Sequence, residues 1–289
     1  MTQIIESLDT VSARYKAMFV DIWGCVHDGE KPFAEAVDAL QRYRAGGGIV
    51  VLVTNAPRHR NSVAAQLDKI GVARDAWDTI ATSGDSARAA MYRGAVGEKV
   101  FFMGEDHDMT FFDPLKIIEN PVPITRVPLE QAEGIVCTGP FDVHADPSEL
   151  RPQLLYAKAK GLKLLCANPD IVVDRGEVRE WCAGAVARLY TEMGGESLYF
   201  GKPHPPIYDL ARRRLAQIAD VPDTAILCVG DGIHTDIAGA MGEDLDSLFI
   251  TGGLAAAETK TDRQPDPAAL DAFLQDAQFS PTYSIGYLR

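Results

Sequence analysis

Several absences narrow what this chain can be. No stretch approaches ~18 consecutive apolar residues, so no membrane-spanning helix is expected. The opening MTQIIESLDT has no basic segment ahead of an apolar one, which gives no reason to expect a secretory leader. Positive charge is scarce: 28 Lys and Arg face 41 Asp and Glu, a formal charge of −13. A chain this acidic repels polyanions, which argues against nucleic acid and anionic membranes as partners. Small phosphates stay possible, because one metal ion and one lysine can reverse the potential locally. Cysteine is sparse and odd in number. Cys25, Cys137, Cys166, Cys182 and Cys228 match neither a CxxC nor a zinc spacing, so reduced, mostly buried thiols of a cytoplasmic protein are expected. The six histidines form no HExxH repeat. No glycine-rich GxGxxG follows the first apolar run, which sets aside a nucleotide-binding dehydrogenase.

What is present is an alternation of apolar runs and amphipathic segments. Ala17–Trp23 reads as a buried parallel strand that carries an acidic residue near its end. PFAEAVDALQRYRAGG has helical spacing, with Phe33, Val37, Leu40 and Tyr43 on one face, and stops at Gly46–Gly48. Ile49–Val53 is a second buried strand, closed by Thr54, Asn55 and Pro57. A helix capped by Asn61 follows and ends at Gly71. Strand, helix, strand, helix in this order predicts a doubly wound α/β parallel sheet. Runs at Lys99–Gly104, Gly134–Gly139 and Leu162–Asn168, then a helix over Gly184–Gly195, predict an inserted α/β cap domain over residues 86–195. The core then comprises residues 1–85 and 196–289. It resumes with a short strand before Gly201–Lys202–Pro203, a strand at Ala225–Val229 before Gly230–Asp231–Gly232, and a strand in DSLFITGG.

Chemistry-bearing residues fall just past these strands: Asp21, the Thr54–Asn55 pair, Lys202 and Asp231. In an open parallel sheet, ligands bind beyond the carboxyl ends of the strands, so these groups are expected to converge. Phosphoryl transfer needs a nucleophile, in-line attack and neutralisation of phosphate charge. Asp21 suits the nucleophile. Mg²⁺ held by Asp21 and Asp231 would separate carboxylate from phosphate. Thr54, Asn55 and Lys202 suit phosphate binding, and Asp236 suits a bracing role beside the metal or Lys202. Each residue alone reads equally well as a turn, cap or surface charge; the ordered set carries the inference. His234 and Asn168 are expected to be structural.

The motifs resemble those of the haloacid dehalogenase-like (HAD) hydrolases. FVDIWGCVHDG resembles the first motif, VLVTNAPR the second, GKPHPPIY the third and VGDGIHTDIAGA the fourth. CANPDIVV resembles the capped branch that includes 4-nitrophenylphosphatase, pyridoxal phosphatase and nucleotide or sugar phosphatases. The resemblance implies a Rossmann-like core, a nucleophilic Asp21, catalytic and phosphate-binding Thr54 and Lys202, and Mg²⁺ on Asp21, Asp231 and the backbone carbonyl of Trp23. It implies a phosphatase of a small phosphorylated metabolite. Trp23 departs from the pattern and resembles an Asp-x-Trp-Gly subgroup. The family's second aspartate, which protonates the leaving group and activates water, belongs at this position. Its loss costs ~10²–10⁴-fold in rate unless Asp28, or less suitably His27, substitutes. The alternative is a catalytically weak relative that binds a phosphorylated ligand as a sensor or partner. The sequence leaves the oligomeric state open, a homodimer included.

Overall fold

The computed structural model describes residues 2–114, 119–175 and 178–289. Strands in chain order are β1 (Gln3–Ile4), β2 (Ala17–Val20), β3 (Ile49–Thr54), β4 (Thr79–Thr82), β5 (Lys99–Met103), β6 (Thr125–Arg126), β7 (Gly134–Cys137), β8 (Lys163–Cys166), β9 (Val172–Arg175), β10 (Val178–Trp181), β11 (Glu196–Tyr199), β12 (Ile226–Gly230), β13 (Asp246–Ile250) and β14 (Tyr283–Ile285). The helices are α1 (Asp9–Ser12), α2 (Ala34–Ala45), α3 (Arg60–Ile70), α4 (Ser83–Met91), α5 (Arg151–Ala159), α6 (Ala183–Glu192), α7 (Pro205–Ala216), α8 (Ala238–Gly242) and α9 (Pro267–Ala277). No helix among the described residues is long and apolar enough to cross a membrane.

Two compact units emerge. The first holds the described residues of Met1–Thr54, Ala64–Ala81 and Tyr208–Arg289; the second holds those of Asn55–Val63 and Thr82–Ile207. The chain therefore leaves the first unit between Thr54 and Asn55.

The first unit is built on a sheet of order β1-β14-β13-β12-β2-β3-β4. Its central strands are parallel, with Val20 opposite Leu52 on one side and Val229 on the other. AMFV of β2 and ILCVG of β12 are buried along their whole length. Strands covered on both faces read as unbroken apolar runs, which is why sequence alone reveals them. From β2 the order grows outward to β3 and β4. From β12 it grows the other way, to β13 and β14. With crossovers of the usual right hand, a reversal of this kind puts helices on opposite faces, as in the doubly wound α/β arrangement.

The second unit has its own parallel sheet, of order β11-β8-β7-β5-β6, and an antiparallel pair β9–β10. Alternate residues of its strands face opposite ways. Ile135, Cys137, Leu164 and Cys166 pack with Leu154 of α5 and Val186 and Tyr190 of α6. Val136 and Leu165 pack with Ala87 and Met91 of α4. One layer of helix thus covers each face. All five cysteines are buried thiols, none in a disulfide.

Two details differ from the sequence reading. β11, the strand before Lys202, was expected to extend the first sheet; it pairs with β8 in the second. A four-residue strand of half-buried residues bears no mark of which sheet it joins. Asn61 was expected to cap α3, but Arg60 already begins that helix, so Asn61 lies in its first turn.

Candidate active site

The reversal of strand order in the first sheet lies between β2 and β12, and Asp21 and Asp231 are the residues that follow these two strands. Asp21 enters from β2 with its N–H donating to Val229 O at 2.8 Å. Both carboxylates are buried, at 9 % and 5 % exposure. Asp21, Cys25 and Asp231 each place a ligand atom within 4.8 Å of the other two. Thr54, at the end of the neighbouring β3, is also buried.

Glycine makes this proximity possible. A Cβ on Gly24 would lie 2.3 Å from Asp231 Oδ2, and Gly24 sits at φ +76°, where side chains are strained. A Cβ on Gly253 would lie 2.0 Å from the same oxygen. Asp231 Oδ2 accepts the N–H of Leu254 at 3.1 Å. Two loops therefore press backbone against one carboxylate and leave space around it clear of side chains.

The donor set suits Mg²⁺. Two carboxylates brought this close in a low-dielectric site repel each other, and a hard divalent cation relieves that repulsion while accepting their oxygens. Mg²⁺ commonly takes only one or two carboxylates and keeps several waters. The Cys25 thiol is a soft donor and adds little for Mg²⁺. Sequence reasoning missed Cys25. Its only linear signal is its place four residues after Asp21, in a loop made tight by Gly24.

That loop closes on itself. Val26 N–H donates to Ile22 O at 2.8 Å and Gly24 N–H to His27 O at 2.9 Å. The Trp23 ring meets the His27 ring edge-on, with centroids 5.2 Å apart, and a Cβ on Gly29 would lie 2.5 Å from Trp23 Cη2. Neither surrogate acid is well poised. Asp28 is exposed, and its Oδ1 accepts the N–H groups of Lys31 and Glu30 at 2.7 and 2.9 Å. These bonds hold its carboxyl below the usual carboxylate range, and a carboxyl kept ionised does not donate a proton at neutral pH. His27 is 2 % exposed; burial lowers its pKa to about 4, so it is neutral at pH 7, and its Nδ1 accepts the N–H of Gly29.

Asp236 is buried beside the Asp231 loop. Its Oδ2 accepts Gly232 N–H at 3.1 Å and the Thr235 hydroxyl at 3.3 Å. A Cβ on Gly230 would lie 2.1 Å from Asp236 Cγ. Asp236 thus bonds the backbone just after Asp231 and packs closely against the backbone just before it. His234 is exposed and packs edge-on against Phe279.

In the second unit, Asn55 and Lys202 are joined directly. The Asn55 side chain accepts Lys202 N–H at 2.7 Å and donates to Lys202 O at 3.2 Å. It also donates to Asp170 Oδ1 at 2.8 Å. A Cβ on Gly201 would lie 2.4 Å from Asn55 Oδ1, so the glycine admits this amide to the backbone. Both side chains are buried. The second and third sequence motifs, 147 residues apart, are thereby fastened to one another. Asn168 Oδ1 accepts Asp170 N–H at 3.1 Å, which extends the network by one more residue.

Comparison with known proteins agrees with this geometry. The Haloacid dehalogenase-like hydrolase family matches residues 18–117, and a HAD-hydrolase-like family matches residues 199–277. A crystal structure of a haloacid dehalogenase-like hydrolase from Brucella suis superposes with a TM-score of 0.85 at 39 % identity, covering 99 % of this chain and 100 % of that one. D-glycerol 3-phosphate phosphatase from Mycobacterium tuberculosis is 25 % identical over 260 residues, 86 % of this chain and 67 % of that protein. A glycerol phosphate phosphatase structure from the same organism, in complex with magnesium, shares the fold with a TM-score of 0.66 at 24 % identity, over 95 % of this chain and 76 % of that one. With the buried aspartates at the strand-order reversal and the match to the Brucella protein over its full length, the chain belongs to the haloacid dehalogenase-like hydrolase family.

Proposed function

We propose that this hydrolase is a Mg²⁺-dependent phosphatase of small phosphorylated metabolites, acting through an aspartyl-phosphate at Asp21. The observation that carries the reading is the close approach of the Asp21 and Asp231 carboxylates at the strand-order reversal. The phosphatase names and the bound magnesium of the relatives support it.

In this reading Asp21 attacks phosphorus. An oxygen–phosphorus bond forms to its carboxylate as the bond to the leaving alcohol breaks. Water then attacks the aspartyl-phosphate and releases inorganic phosphate. Asp21 and Asp231, with the Trp23 carbonyl, would hold the metal, which when bound supplies Lewis acidity and charge neutralisation. Thr54, the backbone N–H of Asn55 and Lys202 bind and orient the phosphoryl oxygens; the Asn55 side chain, whose two N–H groups go to Asp170 and to Lys202 O, ties the backbone of residue 202 to that of residue 55. Asp236 steadies the Asp231 loop. The second unit acts as the cap that excludes water.

Trp23 offers no acid, and Asp28 and His27 are tied or neutral, so both half-reactions lack general acid–base help. Hydrolysis of the aspartyl-phosphate suffers most, because it needs an activated water. With 4-nitrophenyl phosphate, whose leaving group departs readily, the expected progress curve is a burst of about one equivalent followed by slow turnover. The same Trp23 favours a second reading, a ligand-binding descendant of weak activity. The deciding assay compares 4-nitrophenyl phosphate release with and without Mg²⁺ in the wild type and Asp21→Asn. Metal-dependent release lost in the variant supports the phosphatase. No release, with thermal stabilisation by a phosphorylated ligand, supports the binder.

A further inference from the structure

The side chain two residues after Asp21 cannot act as an acid. When a carboxylate attacks the phosphate ester of an aliphatic alcohol, the departing oxygen becomes a strongly basic alkoxide unless a proton reaches it. Trp23 brings an indole N–H, which donates a hydrogen bond but keeps its proton at neutral pH. Its ring packs within its own loop. It meets the His27 ring edge-on, and a Cβ on Gly29 would lie 2.5 Å from Trp23 Cη2 and 2.7 Å from Cζ2. Gly29, at φ +96°, is what lets the turn close against the indole.

The neighbouring proton-bearing groups of the first unit are held elsewhere. His27 is buried against Trp23, and its Nδ1 accepts the N–H of Gly29 at 2.9 Å. Asp28 turns outward and accepts the N–H groups of Glu30 and Lys31. Asp236 is buried, with its Oδ2 on Gly232 N–H and the Thr235 hydroxyl. Tyr208 is buried with its hydroxyl against α8, where a Cβ on Gly239 would lie 2.1 Å from it. Cys25 is a buried thiol beside the two carboxylates. Lys202, in the reading above, serves the phosphoryl oxygens. Among the described residues of the first unit, none of these groups is placed to protonate a departing alkoxide.

A leaving group that is stable as an anion needs no such proton. A carboxylic acid, with a pKa of about 4, leaves as its carboxylate at neutral pH. The exchange with an acyl phosphate balances without acid or base. One carboxylate oxygen of Asp21 bonds to phosphorus, and the oxygen of the substrate's carboxyl group departs with the bonding pair. One mixed anhydride is consumed and one is formed, and no proton moves. Because reactant and product are the same kind of anhydride, the step is close to thermoneutral, whereas an alkyl ester must climb to reach the aspartyl-phosphate. The loss of the acid, ~10²–10⁴-fold in rate, therefore falls on alkyl esters and spares acyl phosphates.

We propose that the phosphoryl donor to Asp21 is an acyl phosphate, the mixed anhydride of a carboxylic acid and phosphoric acid, rather than the phosphate ester of an aliphatic alcohol. The proposal rests on the phosphatase reading and names the substrate class within it. The test, in the presence of Mg²⁺, is kcat/KM for acetyl phosphate and D-glycerol 3-phosphate in the wild type and in Trp23→Asp, which puts a carboxyl at the vacant acid position. This ratio reports the steps through loss of the leaving group, so slow hydrolysis of the aspartyl-phosphate does not mask it. The wild type is expected to favour acetyl phosphate by at least ~10²-fold, and Trp23→Asp to narrow that gap by at least ~10-fold through its gain on the alkyl ester. A smaller wild-type gap, or a gap unmoved in a cooperatively folded Trp23→Asp, overturns the proposal and leaves the phosphatase reading standing. Should Trp23→Asp fail to fold, the wild type decides through a second readout, the exchange of ¹⁴C-labelled acetate into acetyl phosphate. Exchange that is lost in Asp21→Asn supports the proposal, and absence of exchange overturns it. If no compound releases phosphate, the phosphatase reading fails on its own, and the same exchange still tests the donor.

Discussion

The seven-stranded sheet reverses its order between β2 and β12, and the five-stranded sheet between β5 and β7. Past the first reversal stand two buried carboxylates whose oxygens approach within 4.8 Å, with glycine backbone pressed against one of them. Past the second, acidic, imidazole and hydroxyl groups are spread around a cavity of about 440 Å³, and the buried Asp108 already has a hydroxyl partner. The same kind of reversal thus carries two different electrostatic settings. Concentrated like charge is costly without a cation and suits a single chemistry. Dispersed, partnered charge costs less. Substitutions at each reversal can break or sharpen that contrast.

The largest effect is expected from Asp21→Asn. Turnover of 4-nitrophenyl phosphate falls by at least ~10³-fold, since the nucleophile is gone. The metal-free unfolding temperature rises in the same variant, because one of two crowded buried carboxylates has lost its charge. A fall in that temperature removes the argument from charge concentration. Next is Leu165→Ala in the core of the second unit. Leu165 is fully buried, and its truncation lowers stability by about 2–5 kcal/mol in denaturant unfolding. Asp236→Asn weakens the support of the Asp231 loop, so the Mg²⁺ concentration giving half-maximal activity rises by roughly 10–100-fold. Cys25→Ser is the mildest: the Mg²⁺ response stays within about threefold, while inhibition by the soft ion Cd²⁺ weakens by about 10-fold. Equal Cd²⁺ sensitivity in both proteins would show that the thiol takes no part in metal binding.

The sequence revealed best what burial had written into it. β2, β3 and β12 are apolar runs covered on both faces, and each ends at a polar residue, so strand and candidate site appear together in the linear string. β1, β4, β6, β9, β10 and β14 escaped notice. They are two to four residues long and, apart from β4 and β14, incompletely buried, so periodicity has too little length to act on. β11 was legible as a strand but not as a member of the second sheet. In the candidate site, Asp21 and Asp231 were legible from their positions after core strands. The Asn55–Lys202 bonds were not, because they join residues 147 apart through a side-chain amide and a backbone. The cavity of the second unit was the least visible. Its walls come from residues spread between Pro57 and Cys182, and Asn168, read in sequence as structural, gains a place in the lining only through the folded β8 loop.

The central claim is that Asp21 becomes phosphorylated. The direct measurement is rapid acid quenching of the protein with Mg²⁺ and ³²P-labelled 4-nitrophenyl phosphate, followed by peptide mapping. The account predicts approach to one label per chain, on the peptide carrying Asp21, with none in Asp21→Asn and none after chelation of the metal. Steady release of phosphate with label on another residue, or with no label in the first turnover, would contradict it.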